Sequence, residues 1–341
     1  MSYSVEQNPY SNPEETSLIV IYHPYKLEAA AYAESIAKND LWQNGPVIPI
    51  AAQRDPQANK EQLEEILQQG PADIIIAGGD GTVSNNIKAL LSLGHNGRIA
   101  ISAFGNANDT AKMLHSHYYQ QNGLEALLHG YDVNVPIIGI RANQQKLLAI
   151  AYAGAGVTEQ CATFFNSSEY RNDPLGEKRL MQYVRTIKTL DNKYEKLLRY
   201  INESKNVLQL SKNPEPIVLS DERNEKSIKI SDFTIMNGSR MAKTTIHHNT
   251  DLLASPQALY EFTRYRENSY LNLFELIKSL GKLAIGRHVL NLDKRLDFSL
   301  ESINGQPLAL HTDGETIILP DKKVDISVNL GESWVRLVST R

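Results

Sequence analysis

A five-residue segment containing three glycines has the composition of a phosphate-binding loop. Gly78-Gly79-Asp80-Gly81-Thr82 lies between an apolar run at 73–77, predicted as a strand, and a segment at 83–93 with helical periodicity. Glycines let the backbone turn tightly and approach a ligand without Cβ atoms in the way. Successive N–H groups at a helix N-terminus attract anions, so the segment predicts a polyphosphate ligand. Thr82 can donate its hydroxyl to a phosphate oxygen, and Asp80 can hold the loop shape or approach Mg²⁺.

Two other kinds of glycine-rich phosphate-binding loop do not fit residues 78–82. A Walker A loop is excluded because no Gly-Lys-Ser/Thr follows at the required spacing, and the usual glycine spacing of a dinucleotide-binding loop is absent as well. A glycine-rich turn that binds nothing remains the open alternative.

A pair of carboxylates lies near the C-terminus. Asp313 and Glu315 are separated by one glycine, so on an extended segment their side chains would point the same way. Two adjacent carboxylates suit a general base and a Mg²⁺ ligand. The alternative is a surface turn, since Asp-Gly is common in turns.

Strand-like and helical segments alternate through the first part of the chain. The predicted strands lie at 17–22, 47–50, 73–77 and 98–103, and the predicted helices at 26–38, 59–69, 83–93 and from 109. This alternation favours a parallel sheet covered by helices on both faces.

Strand-like runs joined by turns dominate the rest of the chain and favour an antiparallel second domain. Helices are predicted at 176–202 and 255–283, and the last strands at 322–330 and 334–338. The helix at 176–202 carries basic residues beside apolar ones, so it could lie on an anionic surface or pack on its own core. The predicted domains are a nucleotide-binding α/β domain at 17–133, joined by a C-terminal strand at 331–341, and a β-rich acceptor domain at 134–330.

Composition narrows the class of protein. The 341 residues have a net charge of −4, which argues against a dedicated nucleic-acid binder. The single cysteine, Cys161, excludes an intrachain disulfide and favours a reducing cytoplasm. No stretch approaches the ~20 apolar residues of a spanning helix, so a lipid substrate would have to be reached from the membrane surface.

The glycine segment and a second element together resemble the diacylglycerol kinase catalytic domain family. About twenty residues after Gly-Gly-Asp-Gly-Thr comes Phe-Gly-Asn-Ala-Asn-Asp-Thr-Ala-Lys at 104–112. In that family the second element is similar, and Asn108 and Asp109 match it. Asn108 is also a favoured residue for an N-cap of the helix that follows. Leu-His-Thr-Asp-Gly-Glu at 310–315 resembles the family's late acidic element.

The resemblance implies an N-terminal Rossmann-like parallel-sheet domain and a C-terminal antiparallel β-sandwich domain, as in NAD kinases and diacylglycerol kinases. It implies transfer of the γ-phosphate of ATP to a diacylglycerol- or sphingosine-like hydroxyl, with Mg²⁺ as cofactor. Asp313 would be the base and Glu315 its orienting or metal-linked neighbour, although the roles could be exchanged. The nucleotide would contact Gly78, Gly79, Asp80, Gly81, Thr82, Asn85, Gly105, Asn106, Asn108 and Asp109. Asp251 and Glu315 are the candidate metal ligands.

The expected partners are a nucleotide and a lipid acceptor, with transient contact between a cytoplasmic protein and the membrane surface; a homodimer is compatible with the sequence. Two departures from the family pattern keep alternatives open. His23-Pro24-Tyr25 replaces a nucleotide-binding Asn-Pro-x-Ser-Gly segment, and Ser84-Asn85 stands where the family has Asn-Glu. A degenerate nucleotide- or lipid-binding protein is therefore one alternative. An NAD kinase, which shares the glycine segment, is another.

Overall fold

The computed structural model describes residues 16–38, 41–105, 108–114, 122–167, 205–221, 226–238, 240–241, 244–245 and 255–340. The chain divides into two compact units. The first runs up to Asn134 and takes in the chain again from Val335, and the second is Val135–Trp334. Elements are numbered below along the described residues.

The first unit contains a parallel sheet with the strand order β2-β1-β3-β4-β17. Its strands are β1 (Ser17–Tyr22), β2 (Val47–Ala51), β3 (Ala72–Gly78), β4 (Ile99–Ala103) and the last part of β17 (Lys323–Ser339). The registers β1–β2, β1–β3, β3–β4 and β4–β17 are all parallel. All seven residues of β3 are buried, as expected for a central strand covered on both faces.

Five helices connect or cover these strands in the described part of the unit. They are α1 (Leu27–Ala37), α2 (Pro56–Leu67), α3 (Asp80–Ser92), α4 (Asp109–Leu114) and α5 (Gly123–His129). Local signals fix their starts: Asp55 caps α2 by accepting from the Gln57 N–H at 3.1 Å, and Pro56 is its first residue. In α1, the buried Ala29 and Ala33 leave room for close packing on the sheet.

The strand order reverses direction at β1. From β1 the chain moves to β2 on one side, then returns to β3 on the other side and continues to β4. The segments that follow β1 and β3 therefore diverge at the carboxyl ends of two adjacent strands. In open α/β sheets, this reversal opens the crevice in which ligands bind.

The second unit consists mainly of antiparallel strands. Its strands are β5 (Tyr131–Ala142), β6 (Gln145–Ala149), β7 (Tyr152–Gly156), β8 (Ile217–Asp221), β9 (Lys226–Met236), β10 (Arg240–Met241), β11 (Thr244–Thr245), β12 (Gln257–Arg264), β13 (Val289–Asn291), β14 (Arg295–Ser302), β15 (Leu308–Thr312), β16 (Glu315–Leu319) and most of β17. The order β16-β15-β7-β9-β8-β14-β17 runs through this unit. Phe233, Phe262 and Phe298 pack ring against ring in its core, with centroids 5.0–5.2 Å apart.

The described helices of this unit are α6 (Val157–Asn166), α7 at 205–212 and α8 (Ser269–Ala284). Asp232 stabilises the start of α6, because its Oδ1 accepts from both the N–H and the hydroxyl of Thr158 at 2.8 Å. Asn268 caps α8 by accepting from the N–H groups of Tyr270 and Leu271 at 2.9 and 3.2 Å.

The predicted fold class is confirmed: parallel strands form the N-terminal sheet and antiparallel strands follow. The single helix predicted at 255–283 is wrong in its first part, where β12 pairs with β9 and β13. Ala258, Leu259, Glu261 and Thr263 are all buried there, so tertiary pairing overrides the helical periodicity. The two predicted final strands are one strand, β17. The predicted helix at 176–202 lies outside the described residues.

Candidate functional site

The glycine segment joins the end of β3 to the first turn of α3. Gly78 ends the strand, Gly79 is the N-cap with an extended backbone, and α3 begins at Asp80. The helix thus starts three residues earlier than the predicted Val83. Because the first N–H groups of a helix lack intrahelical acceptors, Asp80, Gly81 and Thr82 can offer their amides to an anion. These amides lie at the carboxyl end of β3, where the strand order reverses.

Two of the glycines are required by contacts within the protein. A Cβ at Gly78 would lie 2.6 Å from the Cβ of Thr82. A Cβ at Gly105 would lie 2.3 Å from the Cα of Gly79 and 2.8 Å from Oδ1 of Asn108. The segments after β3 and β4 therefore touch backbone to backbone, which brings both predicted nucleotide-binding elements together.

Gly81 differs from these glycines, because no heavy atom of the described residues lies within 4 Å of where its Cβ would be. It is exposed, and its φ does not lie in the left-handed region. Neither packing nor backbone geometry within the described residues therefore requires glycine at 81. The open space above this first helical turn is what a phosphate needs in order to reach the amides.

Asp80 links the two elements. Its Oδ1 accepts from the Thr110 N–H at 3.1 Å, in the first turn of α4. Burial raises the pKa of Asp80 to about 6, with a further contribution from the nearby Asp109 carboxyl, while backbone hydrogen bonds from Thr110, Asn108 and Asp109 oppose the rise. Asp80 thus holds the loop shape, one of the two roles that its position suggested.

Asn108 lies at the predicted N-cap position of α4, where its carbonyl accepts from the Lys112 N–H at 3.0 Å, but its side chain does not cap the helix. Its backbone is left-handed at φ 53, a conformation that Asn tolerates. The side chain accepts from the Gly105 N–H at 2.8 Å and donates to the Gly105 carbonyl at 2.7 Å. Asn108 therefore closes the turn after β4, and the side chain that caps α4 is Asp80. Asp109 is buried in the same turn, while Asn106 lies outside the described residues.

The segment after β1 lies beside the glycine segment. The His23 N–H donates to the carbonyl of Ala77 at 3.0 Å, which extends the β1–β3 pairing by one residue. The turn is closed by the Tyr25 N–H, which donates to Nδ1 of His23 at 3.2 Å. Burial and the nearby Lys26 charge lower the pKa of His23. This segment follows β1, the other strand at which the order reverses.

A buried chain of amides supports the first turn of α3. Nδ2 of Asn86 donates to the Thr82 carbonyl at 2.8 Å, and Nδ2 of Asn59 donates to Oδ1 of Asn86 at 3.0 Å. The Gln53 N–H donates to Oδ1 of Asn59 at 2.9 Å. Asn86 was not among the predicted site residues. Its position four residues after Thr82 places the two residues next to each other on a helix and could have indicated this contact. The predicted ligand Asn85 is exposed and follows Gly81 by one helical turn.

The acidic segment at 313–315 is a tight turn, so the expected extended segment is wrong. Asp313 has φ 52 and Gly314 has φ 86, which is the backbone of a two-residue hairpin turn between β15 and β16. Asp313 is buried, whereas Glu315 is exposed. Oδ2 of Asp313 accepts from the Ile150 N–H at 2.9 Å, and Oδ1 accepts from the N–H groups of Ala151 and Tyr152 at 2.8 and 3.2 Å.

His311 is a buried polar residue that the sequence analysis missed. It is 1% exposed, and neither ring nitrogen has a hydrogen-bond partner in the described parts of the chain. Burial lowers its pKa to about 4, against the opposing effect of the Asp313 charge. The ring packs against Tyr152, with centroids 5.7 Å apart. His311 is therefore neutral near pH 7.

The described residues contain few acidic or histidine side chains that lie close together. Within them, no group of three or more His, Cys, Asp or Glu side chains could hold a metal ion. Asp251, a predicted ligand, lies outside these residues, and Glu315 is the exposed member of the turn. Asp80 and Asp109 are the neighbouring carboxylates of the glycine site. In the part of the chain that the structure describes, no helix is long and apolar enough to span a bilayer.

Comparison with known proteins connects this geometry to a family. The model of the diacylglycerol kinase catalytic domain matches residues 17–138, and no curated protein sequence matches the chain. The resemblance predicted from the sequence is therefore confirmed over residues 17–138.

Solved structures share the fold. One is a "putative diacylglycerol kinase" from Bacillus anthracis str. Sterne, which is 13% identical and covers 96% of this chain and 98% of its own, with a TM-score of 0.59. A second structure, of a diacylglycerol kinase from the same organism, is 15% identical and covers 96% and 97%, with a TM-score of 0.57. These similarities show a shared fold, and they cover both units of the chain.

Proposed function

We propose that this chain is an ATP-dependent lipid kinase that transfers the γ-phosphate of ATP to the hydroxyl of a diacylglycerol- or sphingosine-like lipid. The observation that carries the proposal is the open space at Gly81, above the free amides of α3. An exposed glycine that neither packing nor φ requires is explained by a ligand that approaches the backbone closely. The family that residues 17–138 resemble makes a nucleotide the natural ligand.

The nucleotide site is proposed on the first turn of α3 and on the turn after β4. Amides of Asp80, Gly81 and Thr82 would bind phosphate oxygens, and Asn85 lies one turn further along the same helix face. Gly105, Asn106, Asn108 and Asp109 would form the opposite side of the phosphate site. Preorganised amides of this kind stabilise the charge that develops on a transferred phosphoryl group.

Mg²⁺ fits the oxygen donors of this site. The ion is usually held by one or two carboxylates together with substrate phosphates, and Asp80 and Asp109 are two such carboxylates. It would neutralise phosphate charge during transfer. The predicted ligands Asp251 and Glu315 remain proposals on the same footing.

Asp313 is the proposed base and Glu315 its neighbour. The three backbone donors on Asp313 hold its carboxylate in one orientation. They also support a second candidate function, a protein that binds nucleotide without transferring phosphate, because these backbone hydrogen bonds already engage both oxygens of the Asp313 carboxylate. The proposal therefore needs a test that separates binding from transfer.

The test measures phosphate transfer from γ-labelled ATP with Mg²⁺ to a panel of lipids with a free hydroxyl, with NAD as a further acceptor. We expect labelled phospholipid from the wild type and a loss of about 10²–10⁴-fold in kcat for Asp313→Asn. Glu315→Gln is the matched variant at the exposed carboxylate, and a smaller loss is expected there. ATP binding without transfer to any acceptor would support the second candidate, and formation of NADP would identify an NAD kinase.

A further inference from the structure

Helix α8 is inverted relative to an ordinary surface helix. Its buried positions include the polar residues Asn272, Glu275 and Ser279. Its exposed positions are apolar: Tyr270 is 73% exposed, Phe274 61% and Ile277 58%, and Ile285 just beyond the helix is 76% exposed. These residues follow one another at spacings of four, three and eight, so they form one stripe along the helix. The stripe is named here the outer face of α8.

The inner polar side of α8 is satisfied, so the inversion is a stable arrangement. Glu275 accepts from Nη2 and Nε of Arg266 at 2.6 and 3.0 Å. Oδ1 of Asn272 accepts from the Arg266 N–H at 2.7 Å. Nζ of Lys282 donates to the buried Glu261 at 2.5 Å. These bonds fix which side of the helix faces the protein and leave the apolar side chains outward, where exposure is unfavourable without a partner.

The charges around the outer face are basic. Three exposed residues of the segment 264–288 are basic, Arg264, Lys278 and Arg287, and one is acidic, Glu267, so its exposed side chains carry a net charge of +2 in a chain whose net charge is −4. The other two basic residues of the segment, Arg266 and Lys282, pair with Glu275 and Glu261 on the inner side. Within α8, which is described in full, none of the exposed residues is acidic, and Lys278 is half exposed. At one end, the ammonium group of Lys212 lies 5.0 Å from the centre of the Tyr270 ring.

We propose that the outer face of α8 docks on an anionic lipid bilayer. An apolar stripe with aromatic residues and a basic border is the pattern by which a helix lies in the plane of a membrane interface. The basic residues would be attracted by the negative surface potential. A soluble partner protein or a second copy would cover the apolar residues equally well, but the excess of positive charge selects the lipid surface. The inference deepens the proposed function, since it places the contact through which a lipid substrate is reached.

The first test is sedimentation of the purified full chain with vesicles of phosphatidylglycerol and phosphatidylcholine mixed in equal parts, against vesicles of phosphatidylcholine alone. We expect binding to the anionic vesicles that weakens as salt rises. Phe274→Ser with Ile277→Ser should lower the partition coefficient by at least about tenfold, since a helix binds in proportion to its buried apolar area. Ile318→Ser, at a residue 70% exposed on β16, is the matched control and should bind like the wild type.

A second readout does not depend on loss of binding. Phe274→Trp should show a blue shift of its added fluorescence with anionic vesicles, whereas Ile318→Trp should not. Absence of wild-type binding, or equal binding by the double serine variant, would overturn the proposal. Sedimentation velocity that shows a dimer, which the double variant abolishes, would assign the outer face to self-association and overturn it too.

The outcomes separate this inference from the proposed function. If the chain binds vesicles through α8 but has no kinase activity, the docking proposal stands and the proposed kinase function is rejected. Phosphorylation of a water-soluble short-chain diacylglycerol without vesicle binding would retain the kinase and reject the docking face.

Discussion

Replacing Gly81 by alanine should raise stability and weaken nucleotide binding at the same time. Among the residues that the structure describes, no heavy atom lies within 4 Å of the added Cβ, and the backbone is helical with an ordinary φ. Alanine in place of a helical glycine stabilises by about 0.5–1 kcal/mol. For a domain of this size the gain corresponds to a rise of about 1–4 °C in Tm.

The same substitution should weaken the binding of ATP. The added methyl group would occupy the open space through which a phosphate reaches the amides of the first turn. A hydrogen bond to a charged group contributes about 1.5–3 kcal/mol, so loss of one such bond should weaken ATP binding about ten- to a hundredfold. Calorimetric titration with ATP and Mg²⁺ measures the affinity, and thermal unfolding measures the stability.

Two glycine substitutions serve as controls. Gly281→Ala, also in a helix and also without a heavy atom within 4 Å, should stabilise the chain and leave ATP binding unchanged. Gly105→Ala should lower both quantities, because its Cβ would lie 2.3 Å from the Cα of Gly79. If Gly81→Ala binds ATP as tightly as the wild type, the open space at Gly81 is not a phosphate site and the reasoning is refuted.

Three further predictions concern buried polar groups. Asp313→Asn should destabilise the chain by about 1–3 kcal/mol in urea unfolding, since an amide nitrogen would face a backbone N–H. Asn86→Ala should cost a similar amount because the Nδ2 of Asn59 loses its acceptor, whereas Asn85→Ala at the exposed neighbour should stay within about 0.5 kcal/mol. His311, with its pKa lowered to about 4, resists protonation in the folded state, so its contribution to stability should fall by about 3 kcal/mol as pH drops from 6.5 to 4.

The last prediction needs a difference measurement, because carboxyl groups also titrate between pH 6.5 and 4, and two buried ones act in the opposite direction. The pKa of Asp80 and of Asp232 is raised to about 6, mainly by burial, so the folded state binds their protons first and gains stability as pH falls. Subtracting the pH profile of His311→Leu from that of the wild type isolates the histidine. A flat difference between pH 6.5 and 4 would contradict the lowered pKa of His311. Equal destabilisation by Asn85→Ala and Asn86→Ala would contradict the structural role of the Asn86 side chain.

Local patterns were sufficient to predict the first unit. The runs of Ile and Val in β1 and β3 are buried on both faces, and the helices between them begin at strong signals such as Asp55-Pro56. Alternating elements of this kind leave few topologies, because parallel strands need crossover connections. The glycine segment could be predicted for a similar reason: its chemistry depends on backbone geometry at a strand-to-helix junction, which is a local property.

The second unit shows where sequence reasoning failed and why. The segment 257–264 has helical periodicity, but pairing with β9 and β13 makes it a strand in which Ala258, Leu259, Glu261 and Thr263 are buried. The apolar residues of α8 would ordinarily mark the inner side of a helix. Here, ion pairs with Arg266 and Glu261 hold the polar side inward. Such partners lie on other elements, so no local pattern reveals them.

The sequence by itself determined the alternating N-terminal fold, the strand-to-helix junction at the glycine segment and the resemblance of residues 17–138 to the diacylglycerol kinase catalytic domain, because each depends on neighbouring residues in the chain. Only the tertiary structure decided how Asp313 is used. Residues 150–152, some 160 positions away, bring three N–H groups to its carboxylate and turn an apparent acidic pair into one buried and one exposed side chain. Contacts over such distances depend on the packing of the whole unit, which is why they are absent from any local pattern.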